Sequence, residues 1–281
     1  MNQTASNTPD EILAVAKQAA LQAGELVRKK WSEPRQISEK GFRDLVTDAD
    51  HASQALIVDM IQSRFPEHGF LVEEEVLGLP SSGPIIWVID PVDGTTNYSR
   101  QLPNYCISIA AVLQPPSTTH PEEPQILAGV IYDPMQDELF QAAAGHGAFL
   151  NSSRIQVSST TNLERAIIAV DWSHHPQKRQ TTLDIIQKIA HNVQTLRAIG
   201  SAALALAWVA AGRLDGYLNL HLKPWDVAAG KLLISEAGGQ FDTIDGQPWQ
   251  LEDAACIAGN GRVVPELRAC FQITSDKKTH L

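Results

Sequence analysis

The run Ile85-Ile86-Trp87-Val88-Ile89, with the acids that follow it, constrains this chain more than any other stretch. Five consecutive apolar residues suit a buried strand and are too few for a typical helix. The run ends on Asp90, and Pro91 cannot give the next ladder hydrogen bond, which predicts that the strand stops there. Asp93 follows, then Gly94, Thr95, Thr96 and Asn97. A carboxylate at the end of a buried strand is costly unless something positive meets it. Two of them close together point to a divalent cation held by oxygen ligands. Gly94 permits a tight turn, so the amides of Gly94, Thr95 and Thr96 can face an anion at a helix start. A cation and an anion in one turn describe metal-assisted phosphate chemistry. The alternative is a strand-ending turn in which each Asp bonds its own backbone. An EF-hand is excluded, because its alternating acids and closing Glu are missing.

The rest of the chain narrows the class. Its 281 residues allow one large domain or two intimate halves with a substantial core. A hydrophobic share of 43% against 19% charged leaves no case for disorder. The net charge of -10 argues against a nucleic-acid surface, which needs a basic patch. It does not argue against a phosphate substrate, since bound metal ions reverse the local field. Cys106, Cys256 and Cys270 are far apart and lack metal-ligand spacing, so they read as reduced packing residues of a cytosolic protein. The N-terminus has no signal-peptide pattern, and the longest apolar stretch, Ala202 to Ala211, cannot span a bilayer. A cytoplasmic protein without a membrane partner is expected.

Element signals give the order of the fold. Thr8-Pro9-Asp10-Glu11 is a capping box, and an apolar face from Ile12 to Val27 predicts a helix to about Trp31. Ser32 to Phe42 reads as a loop or hairpin. Asp44-Leu45-Val46-Thr47-Asp48-Ala49-Asp50 opens a second helix with Thr47 as N-cap, ending before Pro66. Phe70-Leu71-Val72 is a short strand running into Glu73, Glu74 and Glu75. Strands at Cys106 to Leu113, Ile126 to Tyr132 and Glu138 to Ala144, separated by Pro115-Pro116, Asp133-Pro134 and Gly145-His146-Gly147, predict an antiparallel meander. From Ala166 the rhythm becomes alternating strand and helix: strands at Ala166 to Val170, Thr195 to Ile199, Gly216 to Leu222 and Ala255 to Ala258. The helices are Pro176 to His191, Ser201 to Gly212, Trp225 to Ala237 and Val264 to Phe271, before a frayed tail. His174-His175 reads as an exposed loop. Asp226 falls in the first turn of the helix from Trp225, where a carboxylate suits the dipole and where simple capping is the alternative role.

Glu73-Glu74, Asp90-Pro91-Val92-Asp93-Gly94-Thr95-Thr96-Asn97 and Trp225-Asp226-Val227-Ala228-Ala229-Gly230 together resemble the inositol monophosphatase family, a group of magnesium-dependent, lithium-sensitive sugar and nucleotide phosphatases. Asp44-Leu45-Val46-Thr47 with Asp50, and Gly200-Ser201-Ala202-Ala203, extend the resemblance over almost the whole chain. It implies a layered α/β sandwich, α-β-α-β-α, an antiparallel half at roughly 1-155 packed on a mixed-sheet half at 156-281, within one catalytic domain. It also implies a homodimer.

The resemblance assigns roles residue by residue. Glu73, Asp90, the Val92 carbonyl, Asp93 and Asp226 would hold two or three Mg²⁺ ions. Thr95 and Asp50 would orient and deprotonate the attacking water, with Glu73 touching it through a metal. The amides of Gly94 and Thr95 would hold the phosphate, and Gly200, Ser201 and Ala202 would line the alcohol side. Lys40 falls where the family has a mobile-loop lysine, with a solvated loop lysine as the alternative; Glu74 matches a family acid suited to a supporting hydrogen bond. Oxygen ligands suit hard Mg²⁺ better than His or Cys would. Two positions depart from the pattern. Val72 stands where glycine is usual, and Asn219 where inositol-specific members carry a glutamate that accepts substrate hydroxyls. An amide both donates and accepts, so fructose 1,6-bisphosphate, histidinol phosphate and nucleotide bisphosphates stay open beside inositol 1-phosphate. A regulatory protein-binding module is the alternative from another class.

Overall fold

A computed structural model describes residues 8–34, 36–41, 44–114, 124–173 and 176–272. The readings at Pro115-Pro116, at His174-His175 and for the C-terminal tail lie outside them. α1 (Pro9–Lys30) begins with the capping box: Glu11 N donates to Thr8 Oγ1 at 3.3 Å and Thr8 N donates to Glu11 Oε2 at 3.1 Å. The polar segment after it forms a hairpin, β1 (Ile37–Gly41) antiparallel to β2 (Asp44–Thr47). The expected loop or hairpin is thus a hairpin, and its second strand takes in the residues that lead up to the Thr47 cap. Only from Asp48 does the chain turn helical, as α2 (Asp48–Arg64), with Thr47 as the N-cap.

β3 (Gly69–Val72) lies parallel to β4 (Ile85–Asp93). α3 (Thr95–Ser99) follows, and then the meander: β5 (Cys106–Leu113), β6 (Ile126–Asp133), β7 (Glu138–Ala143), β8 (Gly147–Leu150) and β9 (Ser153–Arg154). These strands make a seven-stranded sheet in the order β3-β4-β5-β6-β7-β8-β9, antiparallel except at β3-β4. The second half contributes β10 (Ile167–Val170), α4 (Pro176–Ile189), β11 (Thr195–Arg197), α5 (Ala202–Ala210), β12 (Gly216–Asn219), α6 (Pro224–Glu236), β13 (Gln240–Asp242), β14 (Cys256–Gly259) and α7 (Val263–Gln272). Its five strands form a mixed sheet ordered β11-β10-β12-β14-β13.

Two-residue periodicity in β4 separates the layers. Ile85, Trp87 and Ile89 pack on Ile12, Ala16, Ala19, Ile57 and Ile61 of α1 and α2. Ile86 and Val88 face the other way, toward α5 and α6. Those two helices are apolar nearly all round because they are covered on both sides, as such helices must be. Small residues keep the layers close: a Cβ at Gly129 on β6 would stand 3.1 Å from the backbone of Ala229 on α6. α4 and α7 cover the outer face of the five-stranded sheet through Ile185, Ile189, Val264 and Leu267. The order is α-β-α-β-α, the layered α/β sandwich that the resemblance implies. Among the described residues no helix is long and apolar enough to cross a membrane. All three cysteines are free, with Cys106 and Cys256 buried.

Candidate active site

Pro91 interrupts the ladder without ending the strand. β4 pairs Asp90 with Ser108 and resumes at Asp93 with Cys106, so three steps on β4 match two on β5. The extra residue is a β-bulge. Residues 90 and 93 would point to opposite faces of a regular strand, and one extra residue returns both to the same face. The expected stop at Asp90 is therefore corrected to a bulged strand reaching Asp93, and the bulge is what puts the two acids together.

Asp93 is tied to the next layer. Ser201 Oγ donates to its Oδ2 at 2.6 Å, Ala203 N to the same oxygen at 2.7 Å and Ala202 N to Oδ1 at 3.3 Å. The first turn of α5 thus holds a carboxylate where the helix dipole favours one. Asp226, at the start of α6, accepts from Lys223 N at 2.7 Å, and Ser108 Oγ donates to the Trp225 carbonyl at 3.1 Å, joining that turn to β5. Asp90, Asp93 and Asp226 each place a carboxylate oxygen within 4.8 Å of the others. Asp90 and Asp93 are buried and Asp226 is partly open.

Three acids so close cannot all stay charged without a cation. Burial, then the charges of Glu73, Asp93 and Asp226, push the Asp90 carboxyl well above its usual range. Burial and Asp93 do the same to Asp226. Asp93 is raised by burial, against the bonds from Ser201, Ala203 and Ala202. Crowded carboxylates that raise one another, with an all-oxygen donor set, fit a hard divalent cation.

Glu73 adjoins Asp90 but stands outside this tight trio. Burial pushes its carboxyl up to about 7, against the pull of Lys40. The β1–β2 hairpin delivers Lys40 there: its Nζ donates to Glu73 Oε1 at 2.9 Å and to Glu74 Oε1 at 2.6 Å. Burial lowers the Lys40 ammonium, yet the Glu73 charge and the bonds to Glu74 and Glu73 leave it above its ordinary value. So Lys40 is not a solvated loop lysine. Gln54 of α2 fixes the acid pair from behind, accepting from Glu74 N at 3.0 Å and donating to the Glu74 carbonyl at 2.5 Å. Nothing in the sequence singled out Gln54.

The Val92 carbonyl meets a hydroxyl–carboxylate pair. Thr95 Oγ1 is 3.0 Å from Asp50 Oδ1 and 3.1 Å from the Val92 carbonyl, and it can donate to either. Asp50 is fully buried and completes the cap of α2: Thr47 N and Thr47 Oγ1 donate to its Oδ2 at 2.9 and 2.5 Å. Burial raises its carboxyl despite those bonds, which makes it a better proton acceptor. Gly94 precedes the pair at φ +99°, where a Cβ would stand 2.9 Å from the Asn104 carbonyl. Only glycine takes this turn without strain.

Of the residues expected on the alcohol side, Ser201 and Ala202 are engaged with Asp93, as above. Gly200 N donates to Asp171 Oδ1 at 2.8 Å. Asn219 donates through Nδ2 to Tyr217 Oη at 3.0 Å and accepts from His221 N at 3.0 Å. Asp171 is a buried acid that the sequence reading passed over, because it follows a short strand without motif context. Its carboxyl is pushed up to about 6 by burial, against the Gly200 bond.

Comparison with known proteins agrees with this geometry. The model of the inositol monophosphatase family matches residues 8–273. Nus factor SuhB of Escherichia coli is 38% identical over 261 residues, covering 92% of this chain and 94% of that one. An inositol-1-monophosphatase of Synechocystis is 38% identical over 267 residues, covering 93% and 89%. The crystal structure of extragenic suppressor protein suhB from Bartonella henselae superposes with a TM-score of 0.87 at 35% identity, over 94% of this chain and 99% of that one. With matched residues running from α1 through α7 and the acid trio at its centre, the chain belongs to the inositol monophosphatase family and is a phosphatase.

Proposed function

We propose that this protein hydrolyses a small polyol or sugar phosphate monoester, of the inositol 1-phosphate kind, with Mg²⁺ as cofactor. The reading rests on one observation: Asp90, Asp93 and Asp226 meet within 4.8 Å, and the Val92 carbonyl next to Asp93 meets the Thr95–Asp50 pair. Glu73, Asp90, the Val92 carbonyl, Asp93 and Asp226 would hold two or three Mg²⁺ ions. When bound, Mg²⁺ supplies the positive charge that makes water nucleophilic and offsets charge on the phosphoryl group and the departing alkoxide. Thr95, while its hydroxyl hydrogen is directed at Asp50, presents a lone pair to the attacking water. The water proton passes to Thr95 Oγ1 as the Thr95 proton moves to Asp50 Oδ1, so one proton is relayed without net change at the threonine. The amides of Gly94, the N-cap of α3, and of Thr95, its first residue, stand where N–H groups lack helical partners, and they hold the phosphate there. Lys40 adds positive charge on the Glu73 side.

Asn219 offers both donor and acceptor to the alcohol portion, so esters of other sugars, bisphosphates and histidinol phosphate are the alternative substrates. The same reading makes residues 1–281 one catalytic domain, acting as a cytoplasmic homodimer. The test is phosphate release from a panel of monoesters with Mg²⁺. Activity is expected with at least one polyol phosphate, and it should vanish with chelator and in Asp93→Asn. A folded protein inert on the whole panel at saturating Mg²⁺ would overturn the reading. The relatives named Nus factor favour one second reading, a protein-binding role. A stoichiometric partner retained by Asp93→Asn, with no phosphate release from the unsubstituted protein, would support that role instead.

A further inference from the structure

The first two turns of α2 carry three buried polar side chains, Asp50, Ser53 and Gln54, and spacings of three and four residues put them on one face of the helix. Each reaches a different piece of the site. Asp50 Oδ1 meets Thr95 Oγ1 at 3.0 Å. Ser53 Oγ donates to the Pro91 carbonyl at 2.9 Å, in the bulge that turns Asp90 and Asp93 to one face. Gln54, only 2% exposed, accepts from Glu74 N at 3.0 Å and donates to the Glu74 carbonyl at 2.5 Å.

Gln54 takes over where the sheet lets go of the chain. β3 ends at Val72, and Glu73 N still donates to the Ile89 carbonyl of β4 at 3.2 Å. The next peptide group, which joins Glu73 to Glu74, is held through its N–H by Gln54. Peptide groups are planar, so holding the one on each side of the Glu73 Cα restrains both of its backbone dihedrals. The direction in which the Glu73 side chain leaves the backbone is restrained with them. The bond to the Glu74 carbonyl holds the peptide group after that. A backbone N–H needs an acceptor and a carbonyl needs a donor; a side-chain amide offers both, and its partners fix which end is oxygen. The length of Gln54 therefore sets the gap between α2, which carries Asp50, and the segment that carries Glu73.

We propose that Gln54 is a positioning residue for the cation, which through the Glu74 backbone holds the Glu73 carboxylate at a fixed distance from α2. The proposal rests on the phosphatase reading in which Glu73 holds Mg²⁺. It goes further in making cation affinity depend on the length of a side chain whose own bonds go to the backbone of a neighbouring residue.

The test is Mg²⁺ affinity, read by titration calorimetry on folded protein well below its thermal midpoint. Gln54→Met keeps the bulk and the helix but removes both bonds. It should weaken Mg²⁺ binding about tenfold, the lower end of the range for losing a group that orients a metal ligand. Gln54→Asn keeps the amide and shortens it by one carbon, so it should weaken binding by a similar factor, and it carries the test if Gln54→Met does not fold. Asn260→Ala is the control: Asn260 caps α7 in the five-stranded half, accepting from Val263 N at 2.9 Å. It should lower the thermal midpoint with Mg²⁺ affinity unchanged, which separates positioning from lost stability. Folded Gln54 variants that bind Mg²⁺ as tightly as the unsubstituted protein would overturn the proposal and leave the phosphatase reading standing. A control that loses as much affinity as they do would overturn it as well. An unsubstituted protein that binds no Mg²⁺ would overturn both the proposal and the reading.

Discussion

Asp50 carries two duties on one carboxyl. Its Oδ2 closes the cap of α2 with Thr47, and its Oδ1 meets Thr95. The cap holds the carboxylate in one rotamer, so the Thr95 hydroxyl meets an acceptor already in place, and no ordering cost falls on the reacting state. Thr95→Val keeps the shape and removes the hydroxyl. It should lower kcat by about 10²–10⁴-fold, the range for losing a positioned proton relay, while Mg²⁺ still raises the thermal midpoint. A variant within a few-fold of full activity would remove Thr95 from the relay. Gly94→Ala tests the neighbouring turn. At φ +99° with the Asn104 carbonyl 2.9 Å from the new Cβ, about 1–3 kcal/mol of stability should be lost in denaturant unfolding. No loss there would mean that the backbone relaxes and that the turn does not need glycine.

Elements show where the sequence was readable and where it was not. The capping residues Thr8 and Thr47 announced α1 and α2, because a cap is local chemistry between residues three apart. The meander was equally plain from its apolar runs. Pro91 misled, since its missing N–H breaks a ladder locally but says nothing about whether the chain leaves the sheet; β4 accommodates it with a bulge against β5. The strand at Asp44 to Thr47 was not legible, because a strand that pairs only with a polar hairpin arm needs no apolar alternation. Gln54 and Asp171 were invisible because their partners, Glu74 and Gly200, are brought to them by tertiary packing.

One junction of elements makes a pH prediction. Phe65 caps α2, His68 stacks on it with centroids 4.7 Å apart, and Trp87 Nε1 on β4 donates to His68 Nδ1 at 2.9 Å. Burial holds the His68 imidazole below its usual value, against the opposing charge of Glu67. Below about pH 6.5 the unfolded chain therefore takes a proton that the native imidazole resists, and stability falls as pH drops through that value. His68→Gln keeps an acceptor for Trp87 without titrating. Unfolding at about pH 7.5 and about pH 5.5 should cost the unsubstituted protein more than the variant over the same interval. Equal losses in both would take His68 out of the balance.

At the scale of the molecule, the acid site lies where the layers meet. Asp90 and Asp93 come from the seven-stranded sheet, Asp226 from α6 in the middle layer, and Asp171 with Gly200 from the edge of the five-stranded half. Their mutual repulsion is borne by the packing around them, and a cation at this point relieves it and ties both halves together. Mg²⁺ at about 100 times its dissociation constant should add ~2.7 kcal/mol, which for a chain of this size shifts the midpoint by roughly 5–10 °C. The gain should shrink on acidification, because protons compete for the same oxygens, beginning near the Glu73 carboxyl at about 7. Calorimetry should show one transition moving as a unit, since the ligands span the layers, and Asp226→Asn should reduce the shift although it removes no apolar contact. If Mg²⁺ moved only one of two separable transitions, the cation site would belong to one half of the molecule, and the trio would not be what joins them.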